Sequence, residues 1–214
     1  FIISLLFQAM KSAFRIKNLF LPIFCALIFC PYMHGEETDE RHLFILSGQS
    51  NMARFKPSLW FTPALSKALG EDRVIVSFYA KGGQPISKWY KGWKGSDGST
   101  DPQAGVLYDT MMEQTRDKIR GSQIKTVTFI WMQGEADAKA KNSEVYLNGL
   151  HGLRMQLEAD LGREDLGFVI GRLSDSGFYR RRDKKRVENS DWKGIRDAQE
   201  AFANSMEQAV WIDT

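Results

Sequence analysis

Three short polar stretches each follow an apolar run, and each carries groups suited to attack on a carbonyl carbon or to stabilising its oxygen. They are Ser47-Gly48-Gln49-Ser50-Asn51-Met52, Ala80-Lys81-Gly82-Gly83-Gln84-Pro85 and Met132-Gln133-Gly134-Glu135-Ala136-Asp137. Singly, each reads as an ordinary turn, because Ser and Asn cap helices and a glycine pair makes a tight bend. Together they supply a hydroxyl, approachable backbone amides and a carboxamide, the parts needed for acyl transfer. Glycine lets the backbone come close to a tetrahedral oxygen, and a Gln side chain adds an N–H donor that carries no charge.

The same stretches carry a family likeness. Phe44 to Met52, Gly82-Gly83-Gln84-Pro85-Ile86 with Trp89, Trp131 to Asp137, and Ile195-Arg196-Asp197-Ala198-Gln199 resemble successive blocks of the sialate O-acetylesterase-like branch of the SGNH hydrolases. That branch includes acetylxylan-esterase-like carbohydrate esterases, and the likeness runs from about residue 42 to 214. The resemblance implies that Ser50 is the nucleophile. Its amide, Gly82 or Gly83, and the Gln133 side chain would line the oxyanion hole, with Gln49, Asn51, Glu135, Asp137 and Arg196 as supports. It also implies an O-acetylated carbohydrate substrate, with no metal and no cofactor. A nucleophile elbow of the Gly-x-Ser-x-Gly kind fits less well, since the second glycine is missing.

Such a nucleophile needs a base, and the family supplies it from an Asp-x-x-His segment after the last strand. Here His34 lies in or beside the leader, His42 opens the first strand at its far end, and His151 falls inside a helical pattern. None is placed to serve Ser50, and Asp213 comes too early to be the acid partner, so the resemblance puts the base beyond Thr214 and makes this chain a C-terminally truncated form. Two other classes stay open: a carbohydrate-binding pseudo-esterase, and a flavodoxin-like domain holding phosphate or flavin in its first Ser-rich turn. Trp89 and Trp93 are candidates for stacking on sugar rings, with Trp60 and Tyr90 nearby in sequence.

These residues need a frame that brings three turns to one edge. Short apolar runs at His42–Leu46, Val74–Tyr79, Thr126–Trp131, Gly167–Leu173 and Ala209–Ile212 predict strands buried on both faces. Between them, apolar spacings of three and four predict helices over Thr62–Leu69, Leu107–Ile119, Tyr146–Leu161 and Ile195–Met206. The alternation predicts an α/β three-layer sandwich with a five-stranded parallel, flavodoxin-like (SGNH hydrolase) sheet. Ligands of such sheets sit beyond the carboxyl ends of the strands, where all three turns fall.

The chain of 214 residues is 43% hydrophobic and 26% charged, enough for one domain with a sizeable core. Residues 1–9 read as upstream of a true start at Met10; Lys11, Arg15 and Lys17 then precede the apolar run Leu19–Cys30, giving a signal peptide over 1–35 and an SGNH domain over 36–214. Removing 1–35 takes away three Lys/Arg and no acid, so 29 minus 3 leaves 26 basic groups against 26 acidic ones. The basic pI therefore belongs to the leader, and nucleic-acid binding is not expected. Both cysteines lie in the leader too. A secreted or periplasmic protein without stable membrane insertion follows. The run Arg180 to Arg186 reads as a solvated loop, with an anionic glycan as its alternative ligand.

Overall fold

The computed structural model describes residues 40–179, 182–183 and 185–214. The expected signal peptide lies outside these residues, as do Arg180, Arg181 and Lys184 of the basic run. Five strands form one sheet: β1 (Glu40–Gly48), β2 (Val74–Ala80), β3 (Gln123–Met132), β4 (Gly167–Arg172) and β5 (Ala209–Asp213). Their order is β2-β1-β3-β4-β5, and every pair is parallel. The expected α/β sandwich is therefore the observed one, with strand ends shifted by up to three residues from the apolar runs.

The order dictates the layers. A right-handed crossover from β1 to β2 runs one way along the sheet, and all later crossovers run the other way, so they cover opposite faces. Helices α1 (Ser50–Arg54) and α2 (Phe61–Leu69) cover the first face, where Met52, Phe61 and Leu65 pack on Phe44 and Leu46. The second face carries α3 (Val106–Ile119), α5 (Ser143–Leu161) and α6 (Ser190–Asn204), packed on Leu43, Ile45, Phe129, Phe168 and Ile170. Alternate β1 residues thus enter two different cores, which is why its apolar run is unbroken.

Two short helices had no sequence signal. The five-residue α1 and α4 (Glu135–Lys139) begin inside the first and third polar stretches and are too short to show an apolar period. Met206 lies past the end of α6 rather than within it, though it still packs against the larger core. The long segment after β2 is not a free loop either. It makes a 3-10 turn at Ile86–Lys88 and buries Ile86 and Trp89 completely.

The edge that matters is fixed by close backbone approach. Gly48 ends β1 at φ +143°, and a Cβ there would lie 2.1 Å from the Met132 carbonyl oxygen at the end of β3. The Gln49 N–H donates to that same oxygen at 2.9 Å. The β1 and β3 ends are pressed together, and only glycine fits between them. Gly48→Ala is expected to cost at least about 2 to 4 kcal/mol, read as a lowered urea midpoint. A midpoint equal to that of the unmodified protein would show that the two ends can part at no cost.

Candidate active site

The strand order reverses direction at β1, so the crevice between the β1 and β3 turns is the natural ligand edge. Ser50 is the first residue of α1, immediately past that crevice, and is partly exposed. Its hydroxyl has no hydrogen-bond partner among the described residues. A Cβ built on Gly82 would lie 3.7 Å from Ser50 Cβ, so the second turn runs beside the serine with room for no more than a small group between them. The Lys81 N–H donates to the Gly48 carbonyl at 3.1 Å, joining the same two turns a little deeper. Gly83 takes φ +73° with open space around its missing side chain.

The third turn is bonded to the first. Asn51 Nδ2 donates to Glu135 Oε1 at 2.7 Å. Gln49 Oε1 accepts from the Ala136 N–H at 3.1 Å and from Gln133 Nε2 at 3.2 Å. Gly134, at φ +150°, leaves no room for a Cβ, which would sit 2.7 Å from Ile195 Cγ2 of α6. Glu135 keeps a second oxygen, Oε2, that is buried and has no partner among the described residues. Burial raises its pKa above the usual carboxylate value.

Beneath the turns lies a buried polar network centred on Gln133. Its Nε2 lies within hydrogen-bond distance of Asp137 Oδ2 (2.6 Å), the Gln84 carbonyl (3.1 Å) and Gln49 Oε1 (3.2 Å). The Tyr146 hydroxyl is 2.9 Å from both the Gln133 backbone oxygen and its Oε1, and accepts from Trp131 Nε1 at 3.3 Å. Gln199 Nε2 donates to the Gln133 carbonyl at 2.7 Å, while its Oε1 accepts from the Leu173 N–H at 2.9 Å. Asp137, fully buried, also accepts from the Ile86 N–H at 2.8 Å. Burial pushes its pKa up to about 6, against the opposing pull of the Gln133 and Ile86 donors. Burial raises the Tyr146 hydroxyl far above its usual value, and the nearby Asp137 charge adds to this.

Three expectations change. Gln133 is 1% exposed, and its two amide hydrogens face three internal acceptors, so neither is left to meet an oxyanion. Trp89 is 0% exposed, edge-on to Trp131 at 5.2 Å between ring centroids, and offers no face to a sugar. Trp93 is partly exposed while packing on the larger core. Arg196 serves the carboxyl ends of β4 and β5 rather than the three turns: it donates to the Leu173 carbonyl and lies 3.2 Å from Asp175 and 3.6 Å from Asp213. Gln199, one helical turn further on, is the α6 residue that reaches the site. Sequence reasoning missed Tyr146, because an aromatic at a helical apolar position looks like any core residue.

The described histidines are elsewhere. His42 is buried at the amino end of β1, where its Nδ1 is 2.8 Å from Thr126 Oγ1. His151 is on α5 against the Phe202 ring, at 5.1 Å between centroids. Asp213 is gripped by Arg172 through two bonds of 2.8 and 3.0 Å.

A parallel sheet of order 2-1-3-4-5, with polar turns gathered at the carboxyl end of its first and third strands, is a flavodoxin-like α/β fold with a ligand edge at those turns. The chain belongs to the family described as carbohydrate esterase, sialic acid-specific acetylesterase, which it matches over residues 53–214. That segment begins three residues after Ser50, so it contains the second and third turns but not the first. Among solved structures, the chain is similar to a protein from Arabidopsis thaliana, with TM-score 0.59 and 20% identity over 81% of this chain and 86% of that one. It is also similar to a carbohydrate acetylesterase from Xanthomonas citri, with TM-score 0.53 and 15% identity. There 80% of this chain covers 49% of the other, about half its length. No curated protein matches the chain.

Two measurements check the network. Gln133→Ala would strip partners from Asp137, Gln49 and Tyr146 at once, and is expected to cost about 2 to 4 kcal/mol of stability together with turnover. A loss of turnover with unchanged denaturant midpoint would instead make Gln133 an oxyanion donor alone. Asp137 has a folded pKa raised from 3.8 to about 6. The stability it contributes is therefore present below its unfolded value and lost as pH rises through its folded one. Between about pH 4 and pH 7 the thermal midpoint of the unmodified protein should fall relative to that of Asp137→Asn. Parallel curves would refute the raised value.

Proposed function

We propose that the chain is a serine esterase that removes O-acetyl groups from carbohydrates through an acetyl-enzyme on Ser50. The observation that carries this reading is a partly exposed serine whose hydroxyl has no partner among the described residues, on a turn that runs beside Gly82 and is bonded to Glu135. Ser50 Oγ attacks the acetyl carbonyl carbon and passes its proton to a base. The amides of Ser50 and of Gly82 or Gly83 hold the oxyanion, Gln133 having passed that role to the backbone. Collapse expels the sugar alcohol, which takes the proton back, and water then attacks the acetyl group by the same route in reverse.

The base is proposed to come from an Asp-x-x-His segment of the kind the family resemblance places after β5. Glu135 Oε2 is the buried carboxylate oxygen with an open bond, suited to orienting an imidazole N–H. A cleft of about 530 Å³ lined by residues of all three turns, among them Gln49, Gly83, Pro85 and Glu135 but not Ser50 itself, is large enough for a sugar ring. Trp93 is the remaining candidate for stacking. Family membership favours an acetylated sialic acid, and acetylxylan is the second substrate to try. The leader-like segment within residues 1–35 suggests export to the periplasm or beyond.

Hydrolysis of 4-nitrophenyl acetate, acetylated sialosides and acetylxylan by the protein carried through the proposed Asp-x-x-His segment tests the reading. Ser50→Ala should lower turnover by at least about 10⁴-fold. Quenching the unmodified enzyme in acid should trap one acetyl group on the peptide that contains Ser50. Turnover that survives the substitution would point to another nucleophile. Binding of the sugars with no turnover would favour the pseudo-esterase.

A further inference from the structure

We propose that Asp137 is a positioning residue: from inside the core it brackets the second turn and so sets the distance between the Gly82–Gly83 amides and Ser50. The inference rests on the esterase reading above. Asp137 is wholly buried and lies outside the crevice, yet one of its oxygens accepts from the Ile86 N–H, next to Pro85 in sequence, and from the Gln133 side chain, which itself holds residue 84. The Ile86 N–H reaches Oδ2 directly at 2.8 Å. On the other side, Gln133 Nε2 spans from the same Oδ2 at 2.6 Å to the Gln84 carbonyl at 3.1 Å. Residues 84 and 86 are thus both tied to the third turn. Pro85 between them has no N–H to contribute a tie of its own.

The rest of the second turn is lightly held. Beyond the Lys81 bond to Gly48, its contacts are local, such as Gln84 Nε2 to the Gly82 carbonyl at 3.3 Å. Gly82 and Gly83 carry no side chain to anchor them, so the bracket at 84 and 86 is what limits their travel toward or away from Ser50. Oxyanion stabilisation falls steeply with misplacement, and a shift of about 1 Å in a donor can cost about 10²-fold in rate. A carboxylate is an expensive choice for a dry site, since a neutral side chain of the same shape would bury more cheaply. Charge-assisted acceptance makes the short, stiff bonds that such a bracket needs.

The test uses Asp137→Asn in the protein carried through the proposed Asp-x-x-His segment, a substitution that keeps the side chain's shape and removes its charge. With 4-nitrophenyl acetate, kcat should fall by at least about tenfold while KM stays within about threefold. The thermal midpoint at pH 8 should not drop. The amide resonances of Ile86, Gly82 and Ser50 should all move in a nitrogen–proton correlation spectrum. A kcat within about twofold of the unmodified enzyme would overturn the proposal, and so would kcat and thermal midpoint falling together, the mark of a scaffold residue. If the unmodified chain does not hydrolyse the ester, or does so without Ser50, the esterase reading fails instead. The spectrum then decides the bracket alone: unmoved Gly82 and Ser50 resonances would refute it.

Discussion

One uncharged side chain ties the whole edge together. The Gln133 side chain, just past the central strand β3, meets the first turn through Gln49, the second through Gln84, its own turn through Asp137 and α5 through Tyr146, while its backbone carbonyl takes the Gln199 bond from α6. A carboxamide can do this because it donates and accepts at once and carries no charge to desolvate. Every element that shapes the crevice is therefore referenced to a single group at the carboxyl end of the sheet. The apolar layers below decide that the chain folds; this group decides where three turns stop relative to one another.

The network is also unusual for a core. Trp131, Tyr146, Gln133 and Asp137 form a continuous hydrogen-bonded path running into the interior beside Trp89 and Ile86. Buried polar groups of this kind are costly unless each finds a partner, and here nearly all do. The exceptions among the described residues are informative. The indole nitrogens of Trp89 and Trp93 and one oxygen of Glu135 remain without partners. The two indoles belong to rings packed on the larger core, whereas Glu135 is a residue of the third turn.

Much of this was readable from residue order. The strands announced themselves as unbroken apolar runs, because alternate β1 side chains enter two cores and neither parity can be polar. The long helices showed their buried faces, and the three turns could be placed at one edge from the β-α alternation alone. What could not be read was burial within the turns. A Gln after a strand looks like an exposed donor, and only the Gly48 approach to Met132 and the Tyr146 hydroxyl show that Gln133 points inward. Trp89 misled for the same reason: it sits in a Gly- and Lys-rich stretch that looks like solvent-exposed loop, yet the 3-10 turn at Ile86–Lys88 carries it into the core. Helices α1 and α4 are set by contacts between turns, which no local pattern encodes.

Strand order has a further bearing on how the molecule is made. The first and third turns are 84 residues apart at Gln49 and Gln133, although they touch in the finished fold. During folding, β1 can zip onto β2 early, but its opposite edge stays without hydrogen-bond partners until β3 arrives. During that interval an apolar strand destined for the middle of the sheet is an open template for neighbouring chains. Parallel pairing over such a separation is slow to form. Until β3 closes that edge, β1 is the strand of this sheet with the most to gain from pairing with the wrong partner.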